Sequence, residues 1–347
     1  MRTWIGPVVA LLAAGALLAG TLPEPPPRDP GAAGRPTLAQ AWPGASRADL
    51  PGLTVEPLLF LDATTVVGTR ASADAVHLVV VKGDAERELR RLPAADEPRF
   101  EGLTVAGGEM VWTEAAGDRP VEVWAVRREG GVPRRLTADT GNTLFYGNQY
   151  DLVVAGGRVH WAAGEGSATT EIRSVALTGG KVEIREERGQ WALSAWPWLT
   201  DDTGNQSGTV RMRNMTTGQE VRAPVSGAEW AMCSPVWCRV MVMNGDGLAR
   251  MDAMRPDGAD RRRVAGPEAQ AAVSDVAVLD RFEIFSEPGP ESDVTGVAGL
   301  VVHDLTTGRT VNLAAAADLA ATKDGMLWWS TGQQEAAVWH TLDLRTV

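Results

Sequence analysis

The chain has 347 residues, 44% hydrophobic and 22% charged, which is enough apolar material for a sizeable core. Its formal net charge of −11 has the wrong sign for neutralising phosphates and argues against a nucleic-acid partner. The one compact basic run, Arg261, Arg262 and Arg263, is too short to reverse that balance and reads as a solvated outer strand.

In chain order, residues 1–22 come first. Arg2 supplies a weak positive start, and residues 4–22 carry no charge, with an apolar run from Val8 through Leu12 that resumes at Leu17 and Leu18. This fits a signal peptide or a single membrane anchor. Leu18, Ala19 and Gly20 end in small residues, as a cleavage site would, and Thr21 stands where a lipoprotein needs cysteine. Cleavage and anchoring both stay open. Residues 23–52 hold prolines at 23, 25, 26, 27, 30, 36, 43 and 51. Proline fixes φ and lacks an amide donor, so this stretch is expected to be an extended, semi-rigid linker.

Over residues 53–347, short apolar runs alternate with Gly, Asp, Asn and Thr turns, the pattern of many short antiparallel strands. One unit recurs. Its clearest copy has Met110-Val111-Trp112-Thr113, then Glu122-Val123-Trp124-Ala125-Val126, the turn Gly130-Gly131, and Arg134-Arg135-Leu136-Thr137. The next repeats it around Gly156-Gly157, Trp161 and Gly179-Gly180. The second-strand landmarks are Val67, Trp112, Trp161, Trp198, Trp237, Phe285 and Trp328. Their spacing averages about 43–44 residues, the period of a four-stranded propeller blade. The fold class is therefore all-β: a β-propeller of seven four-stranded blades, with six left open because the first and fourth copies are degenerate. The last copy stops after its third strand, so residues 54–59 are expected to supply its outer strand and join the two ends of the chain in one blade.

The copy from Glu122 to Thr137 resembles the TolB-type propeller repeat, as does Asp324-Gly325 before an aromatic strand. The resemblance covers roughly residues 54–347. It implies an extracytoplasmic propeller acting as a protein-binding platform in the cell envelope. A proline-rich linker stands where TolB has an N-terminal α/β domain, so TolB's own partners do not carry over. The richness in Ala, Gly, Arg and Trp resembles exported actinobacterial proteins.

Chemistry-bearing residues are few. Cys233 and Cys238 suit a disulfide closing a small loop in an exported protein; free buried thiols or a redox pair are the alternatives. His77, His160, His303 and His340 show no His-x-x-x-His spacing, so neither a metal nor any other cofactor is expected. No Gly-x-Ser-x-Gly elbow or Walker loop occurs, and the Asn244-Gly245-Asp246-Gly247 stretch reads as a hairpin turn. Trp191, Trp196 and Trp198 precede Asp201 and Asp202 and suit either an aromatic ligand platform or inter-blade core. Residues 142–151 hold both tyrosines and join two blades on one rim of the ring. The ligand-contact candidates are Tyr146, Asn148, Tyr150, Trp196 and Trp198, with no catalytic residue among them.

Two functions follow. One is a non-enzymatic envelope module, monomeric, binding a protein or glycan and meeting the membrane only through its N-terminal segment. The other is an extracellular hydrolase or lyase acting on glycans or peptides. Several carboxylates and a tyrosine converging in the channel would favour the second; a channel lined by Ala, Ser, Val and Thr would favour the first.

Overall fold

The computed structural model describes residues 34–164, 168–201, 210–290, 292–332 and 336–347. The segment read as signal or anchor lies outside these. No helix among the described residues is long and apolar enough to cross a membrane.

Seven four-stranded antiparallel sheets form the blades, covering residues 56–93, 99–137, 153–188, 192–222, 229–265, 270–317 and 320–343, the last completed by an N-terminal strand. Second strands such as Glu109–Ala115 and Met326–Thr331 are almost wholly buried, because a blade packs both faces against its neighbours. Six of the seven landmarks fall in second strands; Trp237 stands one residue before Cys238–Asn244. Seven apolar clusters fill the interfaces between successive blades. That joining blade seven to blade one contains Phe60, Val66, Met326, Trp328 and Trp339, so the ring is closed and has seven blades.

Closure comes from a different strand than the one expected. Arg47–Pro51 pairs antiparallel with Val338–Asp343, from Arg47 opposite Leu342 to Pro51 opposite Val338. Residues 54–59 instead run into Glu56–Asp62, the innermost strand of blade one. Proline misled the reading: Pro43 and Pro51 mark a linker by composition, yet Pro51 ends an outermost strand, where a missing amide donor leaves no ladder bond unmade. His340 reinforces the join, its Nδ1 lying 2.7 Å from Asp49 Oδ1 and its Nε2 2.8 Å from Thr331 Oγ1.

In two blades an excursion leaves the innermost strand toward the axis. In blade three the innermost strand is in two pieces. Thr143 bridges Ala163 and Leu144 N–H donates to Ala162 O, while Val153–Ala155 pairs with the start of the second strand, around Arg158 and His160. Residues 145–152 leave between them. In blade six Gln270–Ala271 is shorter still, Ala272 N–H donates to Ile284 O, and residues 273–281 leave before the next strand.

The disulfide between Cys233 and Cys238 is present and joins directly opposed residues across the turn of the first hairpin of blade five. A loop this short removes little disorder from the unfolded chain. Replacing both cysteines by alanine is expected to cost at most about 2 kcal/mol, read from urea midpoints.

Candidate functional site: the axial cavities

The two excursions meet across the ring. Gln149 N–H donates to Asp275 Oδ1 at 3.3 Å, and Ser274 Oγ donates to Gly147 O at 3.3 Å. Blade seven adds Lys323 Nζ, which donates to Gln149 O at 2.8 Å, and Thr322 Oγ1, which donates to Asp275 Oδ2 at 2.6 Å. The 145–152 excursion is folded on itself by Asp151, whose carboxylate accepts the N–H groups of Tyr146, Gly147 and Asn148 at 2.9, 2.7 and 3.1 Å. A strap of backbone therefore bridges the channel from blade three to blades six and seven.

Behind the strap, Arg239 and Glu283 form an ion pair at 2.6 Å, each side chain only 1% exposed. Arg239 also donates to Val273 O and Asp275 O, and Glu283 accepts the N–H of Ala277. The pair thus fixes the excursion that carries Asp275. On the other side Gly102, at φ +60°, lets the innermost strand of blade two bulge against the strap; a Cβ there would stand 3.1 Å from Leu152 Cβ.

Two cavities flank the strap. The larger, about 400 Å³, lies among blades one, two, three and seven; Phe100, Leu103, Phe145 and Trp328 supply apolar surface and Glu101, Asn148 and Gln149 polar surface. The smaller, about 80 Å³, is lined by Tyr146, Asn148, Tyr150, Met232, Ser274 and Asp275 among others.

Burial governs the ionisable groups here. It raises the pKa of Asp151 and Asp275 against their hydrogen bonds, and lowers that of Lys323 against its acidic neighbours. Tyr150 is pushed well up, first by burial and then by the charges of Asp275, Asp280 and Asp324. Carboxylates and a tyrosine do converge on the axis, the arrangement the sequence analysis attached to an enzyme. Asp151 and Asp275, however, are engaged by the strap's amides and by Thr322, and so act first as its latch.

Of the five sequence-derived ligand candidates, Tyr146, Asn148 and Tyr150 come together on the smaller cavity. Trp196 packs on the same cluster between blades three and four as Tyr150, its ring 3.8 Å from that of His160, and Trp198 packs with the cluster between blades four and five, so neither lines that cavity. Asp201 accepts from Arg211, at N and Nε, and Asp202 lies outside the described residues. The sequence reading missed Phe100, Glu101, Gln149, Asp275, Lys323 and Trp328. One signal was available: fifteen residues separate Thr137 from Val153, against five between Pro93 and Arg99, and the excess is the strap. No cluster of three metal-ligating side chains occurs among the described residues.

His160 carries a pH effect. Burial, with Trp196 against the ring, lowers its pKa to about 4 from 6.5. Between those values the unfolded chain takes up a proton that the folded chain refuses, so this residue makes stability fall as pH drops from 6.5 to 4. The buried acids work in the opposite sense, since their raised pKa values let the folded form protonate first. Against wild type, His160→Gln should lose less stability between pH 7 and pH 4, by up to about 3 kcal/mol, in urea titrations at the two pH values.

No family model and no curated protein matches the chain. Solved structures do match. An uncharacterized protein from Listeria monocytogenes is 10% identical over 87% of this chain and 93% of its own, with a TM-score of 0.53. A prolyl endopeptidase is 11% identical over 82% of this chain at a TM-score of 0.51, and this chain spans 44% of its length. A putative TolB from Agrobacterium tumefaciens is 14% identical over 67% of this chain and 86% of its own, at a TM-score of 0.38 too low to carry an argument. The first two likenesses show the propeller fold and leave the chemistry to this chain's own residues.

Proposed function

We propose that the chain is an exported, TolB-like propeller of actinobacterial type that works in the cell envelope as a non-enzymatic binding module, taking a protein or glycan partner at the larger axial cavity. The observation that carries this reading is the strap. It divides the channel and gives the cavity a floor, with its latching carboxylates occupied by internal donors. The residues-1–22 segment and the disulfide support an extracytoplasmic setting. A photo-crosslinking residue in place of Leu58, which lines the cavity without supplying any of its polar groups, with one in place of Glu86 on an outer strand as control, tests the reading in intact envelopes. A reproducible protein or glycan adduct from position 58, and none from the control, is expected; no adduct from position 58 would remove the support.

A second reading, an extracellular hydrolase or lyase, draws on Tyr150 and the three aspartates whose charges reach it. If it holds, glycan or peptide turnover will be measurable and Tyr150→Phe will abolish it while leaving the urea midpoint within the range of other conservative variants.

A further inference from the structure

The larger cavity's polar groups narrow the class of ligand. The middle of the strap's main chain is already engaged: the N–H groups of Tyr146, Gly147, Asn148 and Gln149 go to Asp151 and Asp275, and the carbonyls of Gly147 and Gln149 accept from Ser274 and Lys323. A peptide recognised by added-strand pairing needs a continuous run of free main-chain groups, and residues 146–149 do not supply one. What remains are side chains. The Gln149 amide and the Asn148 Nδ2 group form no hydrogen bond among the described residues, Asn148 Oδ1 accepting from Tyr150 N–H. Glu101 is exposed beside them. The same cavity is also lined by the small exposed edges of Phe100, Leu103 and Trp328, otherwise buried between blades, and by half-buried Phe145.

Two amides and a carboxylate sharing one cavity with apolar edges suit a ring with hydroxyls on its edge and C–H groups on its face. Charge sets the sign. The cavity's one cation, Lys323, is buried and tied to Gln149 O, while Glu101 is open to solvent, so an acidic sugar or a phosphate would meet repulsion without compensation. We infer that the larger axial cavity is a subsite for one neutral sugar unit of an uncharged glycan. This rests on the binding-module reading and chooses between its two partner classes.

The test uses the whole chain and a panel of glucose, galactose, mannose, N-acetylglucosamine and their short β-linked oligomers. Galacturonate oligomers and a random-sequence peptide pool serve as comparators. Titration is followed by calorimetry and by nuclear magnetic resonance shifts of the Trp328 indole. At least one neutral sugar should bind and shift Trp328, and galacturonate should not. Gln149→Ala and Glu101→Gln should each weaken binding tenfold or more at an unchanged unfolding midpoint, because neither side chain holds the strap. Binding of galacturonate or of peptides in preference to the neutral sugars overturns the inference. So does failure of every neutral sugar at millimolar concentration. If position 58 still crosslinks a protein in that case, the binding module stands and only the sugar subsite falls; if it crosslinks nothing, both fall.

Discussion

Replacing Arg239 by methionine is expected to lower stability by about 3–5 kcal/mol. Arg239 is buried, and its guanidinium serves three acceptors on blade six: Glu283 and the carbonyls of Val273 and Asp275. Methionine fills a similar volume but leaves Glu283 as a buried charge with only the Ala277 amide to stabilise it. The 273–281 excursion would loosen, and with it Asp275, the residue that receives the strap. The double variant Arg239→Met, Glu283→Leu should recover part of the loss, since it removes the stranded charge while leaving the carbonyls of Val273 and Asp275 without donors. Guanidinium titrations of the wild type, both single variants and the double variant read this out as a coupling energy. A cost below about 1 kcal/mol for the first substitution would show that the pair is hydrated rather than enclosed.

Trp161→Ala should cost a comparable 3–5 kcal/mol. The side chain is fully buried between blades two and three, among Val111, Leu136, Leu152 and Val175. Its Nε1 also donates to Thr140 O at 2.8 Å, tying the start of the blade-two-to-three connection to the ring. Trp112 is as deeply buried at the corresponding place in blade two, yet its Nε1 has no partner among the described residues. The two positions therefore separate volume from hydrogen bonding. Both alanine variants should be severe, whereas substitution by phenylalanine should be about 1 kcal/mol worse at 161 than at 112, because only there is a carbonyl left without its donor. Equal costs for the two phenylalanine variants would remove the hydrogen bond from the account.

The architecture was legible because blade stacking imposes a chemical period. A large ring recurs wherever a second strand must fill the space between sheets, and Trp112, Trp161 and Trp328 carry that signal whatever the loops do. The closing strand was not legible. Arg47, Ala48, Asp49, Leu50 and Pro51 become a strand because Val338–Asp343 offers them an open edge, a fact about another part of the chain. The site was half legible. Its tyrosines stood out by composition, and residues 142–151 do lie at the axis. The latch could not be read, because Asp275 and Lys323 are more than a hundred residues from the segment they hold, and neither sits in a recognisable motif. Trp196 and Trp198 misled for a related reason: an aromatic pair marks a platform or a packed interface equally well until its neighbours are known.

The claim on which the functional reading depends is that residues 145–152 form a latched strap across the axis. Amide hydrogen exchange over that segment tests it most directly, because the N–H groups of Tyr146, Gly147, Asn148 and Gln149 all end on carboxylates. Protection of these four amides approaching that of the blade strands, and lost on Asp275→Ala and Asp151→Ala substitution, is the predicted result. Exchange at the rate of an unstructured peptide in the wild-type chain would mean that the channel is open and that neither cavity has the wall described for it.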